Sequence, residues 1–101
     1  MQSEKKHFFL KLIPPRPTFF VDMTEEERDM MKEHGQYWRS LMERGIAIVF
    51  GPVLDPRAVW GLGIVEAINE DEVRSFTADD PAIKSGLTTL EIYPIQAVIR
   101  K

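Results

Sequence analysis

The apolar residues of this chain switch between a period of two and a period near 3.6, and the order of the switches limits the fold. Residues 7–13 (HFFLKLI) read as a strand. Pro14-Pro15-Arg16-Pro17 ends it, because proline cannot pair in a central ladder. The chain from there to Asp22 is expected to be a loop, long for so small a protein. Phe19, Phe20 and Val21 make that loop apolar enough to pack down as a cover. Thr24 with Glu27 fits a capping box, and Glu25-Glu26-Glu27 suits the positive end of a helix. That helix is expected to run to about Arg44 and stop at Gly45. Residues 46–50 (IAIVF) form a continuous apolar strand ending at Gly51-Pro52. After an Asp55-Pro56 turn, residues 58–67 (AVWGLGIVEA) form a third strand. Asn69, with Glu72 three positions on, caps a second helix that ends near Asp79-Asp80-Pro81. A loop to Gly86 leads to a closing strand, residues 87–99, which Pro94 restricts to a sheet edge.

This order is β-α-β-β-α-β, the ferredoxin-like signature of an α+β fold. It places two helices on one face of a four-stranded antiparallel sheet. The second strand is apolar on both faces: Ile46, Ile48 and Phe50 on one, Ala47 and Val49 on the other. In the third strand Trp60, Leu62 and Ile64 share one face, and Val59, Gly61, Gly63 and Val65 the other. Two glycines on one face call for a close neighbour, a helix or a ligand. Two helices cover only one side of the sheet, so an apolar face is left open. A homodimer packed sheet against sheet is the economical cover. The alternative is the long loop folded across it.

The composition excludes several classes. With 101 residues the chain is read as one domain, 1–101. Thirteen basic residues against 16 acidic ones give a net charge of −3, without the basic stripe that nucleic acid or an anionic membrane would attract. No run is long and apolar enough to span a bilayer, and residues 1–6 lack a signal core, so a cytoplasmic protein is the default expectation. The absence of cysteine excludes disulfides, thiolate zinc sites and thiol nucleophiles. His7 and His34 have no partner histidine at ligand spacing, so no metal is implied. No cofactor is implied either: there is no Walker loop, and Gly61-Leu62-Gly63 lies inside a strand rather than at a strand-to-helix turn.

At about 100° per residue, Met30, Leu41, His34, Glu27, Trp38, Met31 and Tyr37 fall on one face of the first helix. Arg28, Lys32, Arg39 and Glu43 lie opposite. His34 thus sits inside an apolar stripe, which is costly unless the ring is hydrogen-bonded. Such a histidine is commonly a satisfied core residue.

Four strings on this topology resemble the YCII-related family. They are the helix with His34, Gly51-Pro52 after the second strand, Asp80-Pro81 after the second helix, and the closing strand with Pro94. Arg16, Phe19 and Met23-Thr24 look like its longer-loop branch. The resemblance covers about residues 7–99 and implies a dimeric α+β barrel of two ferredoxin-like units packed sheet to sheet. It also implies that the helix histidine and the Asp-Pro aspartate, His34 and Asp80 here, share a pocket in each subunit. Relatives on the wider fold include isomerases, lyases (dehydrochlorinases among them) and monooxygenases of small aromatic or lactone compounds. The chain departs from the pattern at Ala82, where relatives often carry a bulky aromatic. That change implies either a wider pocket or a repacked one.

An aspartate beside an imidazole favours the charged ring and fixes its tautomer, so His34 and Asp80 are the catalytic candidates, a general acid/base pair. Arg16 could hold an anionic group at the pocket mouth. Trp38, Trp60 and Phe50, with Tyr37, could wall a planar ligand, and Gly51 could let it approach the backbone. Each has an ordinary reading too: solvated loop arginine, plain aromatic core, strand terminator. Three functions stay open on these residues. One is a cofactor-independent lyase or isomerase with His34 as base. The second is a small-ligand-binding or accessory dimer without catalysis. The third is a structural dimer in which the pair only ties helix to loop.

Overall fold

A computed structural model describes residues 4–100. Its elements are β1 (Lys6–Ile13), α1 (Phe19–Asp22), α2 (Glu25–Glu43), β2 (Ala47–Val53), β3 (Trp60–Ala67), α3 (Glu70–Thr77), α4 (Pro81–Lys84) and β4 (Thr89–Ile95). The four strands form one sheet in the order β2-β3-β1-β4, with every neighbouring pair antiparallel. This is the α+β, ferredoxin-like arrangement expected, with α2 and α3 packed on one face.

Local chemistry sets the helix limits. The Thr24 hydroxyl accepts the Glu27 N–H at 3.1 Å, and the Glu27 carboxylate accepts the Thr24 N–H at 2.9 Å. The capping box is therefore complete, and α2 stops at Gly45, whose φ of +75° suits a residue without a Cβ. The Asn69 side chain caps α3 by accepting the Glu72 N–H at 2.9 Å. Two short helices stand where loop was expected. α1 turns through Phe19 because that ring is fully buried. α4 starts at Pro81, whose missing N–H costs nothing at a first helical position.

The strands differ from expectation at their ends. β2 continues through Pro52 to Val53, which its edge position tolerates. β4 is also an edge strand, as Pro94 requires, but it stops at Ile95 rather than at Ile99. Ile95 pairs with His7, and β1 begins one residue earlier, so the later residues have no ladder to join. A bulge between Ala47 and Val49 also resets the parity of β2. Ala47 and Phe50, expected on opposite faces, both lie over the helix side, opposite Val65 and Gly63.

The core lies between the sheet and α2 with α3. It holds Phe8, Leu10, Leu12, Trp38, Leu41, Val65 and Val73. Burying a side chain of this size stabilises by about 1.5–3 kcal/mol. The seating of Trp38 and Leu41 against the sheet is thus what fixes the helix that carries His34. The other sheet face is left half-covered. Phe9 meets Trp60 and Tyr93 there at ring separations of 6.2 and 6.0 Å. Val49 and Tyr93 remain 45% and 47% exposed. The long segment after β1 does not fold across this face to bury it: its Phe20 packs on the helix side.

Candidate active site

His34 and Trp38 are one helical turn apart on α2, so both side chains leave the same face. Asp80 faces them from the N-cap of α4. Its carboxylate has no solvent exposure and is held by three residues. Trp38 Nε1–H donates to Oδ2 at 2.8 Å. The Ala82 N–H donates to Oδ1 at 2.9 Å. His34 Nδ1 lies 2.8 Å from Oδ2 and 3.0 Å from Oδ1. Both oxygens already accept N–H donors, which is the pattern of an ionised carboxylate. The proton of the His34 contact therefore belongs on Nδ1. In a neutral ring this leaves Nε2 as the acceptor, and no partner holds it among the described residues.

His34 borders a cavity of about 200 Å³. Its other walls are apolar or backbone: Leu12 and Gly61 below, Phe50, Gly51 and Pro52 from β2, Met31, Gly35 and Trp38 from α2, and Phe20 from α1. Trp38 and Phe50 stand 5.9 Å apart between ring centres. An apolar cavity of about 150 Å³ is enough to hold benzene, so this one admits a single substituted ring. Among the described residues, His34 is the one titratable side chain lining it. The site thus combines a fixed proton acceptor with an apolar-walled, ring-sized space.

The segment over the cavity is latched. Arg16 donates to both Glu27 oxygens at 2.9 and 2.8 Å, and to the Asp22 carboxylate and carbonyl at 2.9 and 3.0 Å. Thr18 donates to Asp22 at 2.6 Å. The bidentate Arg16 contact, with the Thr24 N–H second, lowers the Glu27 pKa to about 2. Asp22 is lowered by the Thr18 hydroxyl first and Arg16 second. Arg16 itself is raised by Glu27 and then Asp22. On α2, one helical turn from the site, the Tyr37 hydroxyl donates to the Phe76 carbonyl at 2.5 Å, and burial raises its pKa.

The expected site residues therefore divide. His34, Asp80, Trp38, Phe50 and Gly51 come together. Trp60 does not: it points to the open sheet face, where Lys11 lies 4.8 Å above its ring. Strand alternation requires this, since Trp60 has the parity of Leu62 and Ile64 rather than of Gly61 and Gly63. Arg16 also lies off the cavity. With Trp60 it borders a separate, more open hollow of about 470 Å³ that includes Lys11, Asp55 and Arg57. Tyr37, on α2, is outside the cavity, with its hydroxyl turned to α3. Ala82 is fully buried off the cavity, so the small residue after Asp80-Pro81 goes with repacking rather than a wider pocket. Sequence reasoning missed Leu12, Phe20 and Met31 as walls. Met31 was legible from its place on the His34 face of α2. Phe20 was legible only as a member of an apolar loop. Among the described residues no three His, Cys, Asp or Glu side chains converge to hold a metal ion, and no helix is long and apolar enough to cross a membrane.

One solved structure similar to this chain is 5-chloro-2-hydroxyhydroquinone dehydrochlorinase from Burkholderia phenoliruptrix AC1100, in complex with 2,5-dihydroxybenzoquinone. It is 26% identical, with a TM-score of 0.64 over 88% of this chain and 93% of that one. An uncharacterised protein from Thermotoga maritima shares the fold at 8% identity, with a TM-score of 0.54 over 92% of this chain and 100% of that one. None of the curated proteins matches the chain. The YCII-related domain matches residues 7–96, and the protein belongs to the YCII-related family.

Proposed function

We propose that the protein is a small-molecule lyase or isomerase that works without a cofactor, with His34 as general base and Asp80 as the group that holds and polarises it. One observation carries the reading: a buried carboxylate with three N–H partners fixes the Nδ1 side of His34, which leaves Nε2 free on a ring that lines a ring-sized cavity. The dehydrochlorinase neighbour, a lyase in complex with a dihydroxybenzoquinone, supports a carbonyl-activated or phenolic ring as the substrate class. In the lyase form, Nε2 takes a proton from the substrate. The electron pair released moves into the ring system, and the leaving group departs with its bonding pair. In the isomerase form, the same nitrogen returns the proton at another atom. Asp80 stabilises the imidazolium formed in between. The working unit is a homodimer that covers the half-exposed sheet face, with one such cavity in each subunit.

The test is to offer the protein 5-chloro-2-hydroxyhydroquinone and related hydroxylated rings, and to follow chloride release and ring absorbance. Turnover that disappears in His34→Ala, while the fold survives, is the expected result. Full activity in His34→Ala would end the base assignment. A saturable rise in Tm with no turnover on any such ring would favour a ligand-binding dimer instead.

A further inference from the structure

We propose that Trp38 is a positioning residue for the His34–Asp80 pair, and that the bare backbone at Gly63 is what gives it room to act. A tryptophan on this helix face would ordinarily be read as core or as a wall for a ligand. Its indole does line the cavity, but its N–H does something else. It donates to Asp80 Oδ2, the oxygen that His34 Nδ1 approaches most closely, and at the same 2.8 Å. The Ala82 N–H holds the other oxygen. One donor on each oxygen sets the plane of the carboxylate about its Cβ–Cγ bond, and that plane sets the line along which His34 donates. Trp38 is 1% exposed, so water cannot substitute for its N–H.

The ring reaches this position by lying on β3. A Cβ at Gly63 would stand 2.6 Å from Trp38 Cη2 and 2.8 Å from Cζ3, closer than real atoms approach. Any side chain there would push the indole away from the sheet and carry its N–H off Asp80. The pair is thus aligned from two distant places in the chain, one turn along α2 and one residue in the central strand. The rate consequence rests on the base role proposed for His34, whereas the alignment itself does not.

The test deletes the N–H and keeps the ring. β-(Benzothiophen-3-yl)alanine is incorporated at position 38 of the full chain, and Trp38→Phe and Gly63→Ala are made alongside. The first readout is the proton NMR signal of His34 Hδ1. With a competing donor removed from Oδ2, that signal is expected to move to lower field. A role in packing alone would leave it in place, and an unmoved signal overturns the proposal. On a substrate that the unsubstituted protein turns over, kcat is expected to fall roughly tenfold or more, the scale seen when partners that orient a metal-binding histidine are removed. A rise in KM with kcat unchanged would make Trp38 a wall and nothing more. Gly63→Ala is expected to displace the same Hδ1 signal. It should also cost less Tm in a Trp38→Phe background than alone, because the smaller ring stops short of β3. An equal cost in both backgrounds overturns the part assigned to Gly63. A displaced Hδ1 signal together with full activity in His34→Ala would keep the alignment and sink the base role, so the two readings fail separately.

Discussion

Asp80→Asn replaces one carboxylate oxygen by NH2 and leaves the shape of the side chain. The native carboxylate accepts from Trp38 and His34 on one oxygen and from Ala82 on the other. An amide can present its NH2 to only one of these sides. Turned toward Ala82, it meets a backbone N–H, and α4 loses its cap. Turned toward α2, it meets the Trp38 N–H, and His34 can pair with it only by moving its proton from Nδ1 to Nε2. Either way a buried donor is left without an acceptor, because Asp80 and Trp38 are 0% and 1% exposed. One such group costs about 1–3 kcal/mol. In a domain of roughly 100 residues each kcal/mol moves Tm by about 4–8 °C, so a loss of roughly 5–20 °C is expected. The effect on turnover should be larger. A ring protonated at Nε2 cannot accept a proton there. The same aspartate-to-asparagine change in a serine-protease triad lowers kcat about 10⁴-fold, and a loss of that order is expected here. The assay is a thermal melt at fixed protein concentration with nitrogen-15 NMR of the His34 ring. A Tm unchanged within error, with the ring still protonated at Nδ1, would refute the account of Asp80.

The latch and the open sheet face each carry a prediction of their own. Removal of the latch in Arg16→Met should change the acid response. Glu27 sits at about 2 instead of its ordinary 4.5, so its ion pair stabilises the fold fully above about pH 4.5 and is lost as pH falls towards 2. Urea midpoints across that window should fall less steeply in Arg16→Met, and identical slopes would show that the latch contributes nothing. Ile64→Asp places a charge on the open sheet face. An unpaired charge buried in the interface of the homodimer proposed above costs about 3–5 kcal/mol, so dissociation of that dimer is expected to rise by more than about a hundredfold. Sedimentation of an undisturbed dimer would move the interface elsewhere.

The sheet and the two longer helices, α2 and α3, were legible where two signals agree. α2 has both its cap and its stripe, and β4 has both its pattern and the proline that sends it to an edge. The errors lie where a rule of local periodicity is broken by a partner distant in sequence. The bulge at the start of β2 cannot be seen in a run as uniformly apolar as IAIVF, yet it decides that Phe50 faces the cavity. Grouping Trp60 with Trp38 and Phe50 ignored the parity that the chain itself displays, since Gly61 and Gly63 already marked the other face as the crowded one.

His34 and Asp80 are 46 positions apart, and spacing alone does not bring them together. What spacing does contain is the i, i+4 relation of His34 to Trp38. A helix that turns two N–H groups in one direction from an apolar face needs an acceptor between them, because neither can be left unpaired in the core. Asp80 meets that need as the N-cap of α4, with Pro81 at the first helical position. The first cap donor is then the Ala82 N–H, which occupies Oδ1 and leaves Oδ2 for the helix. Asp-Pro at this point is therefore more than a turn signal. It prepares a carboxylate with one oxygen committed to the backbone and one offered to α2, which is the form that a two-donor helix face can bind.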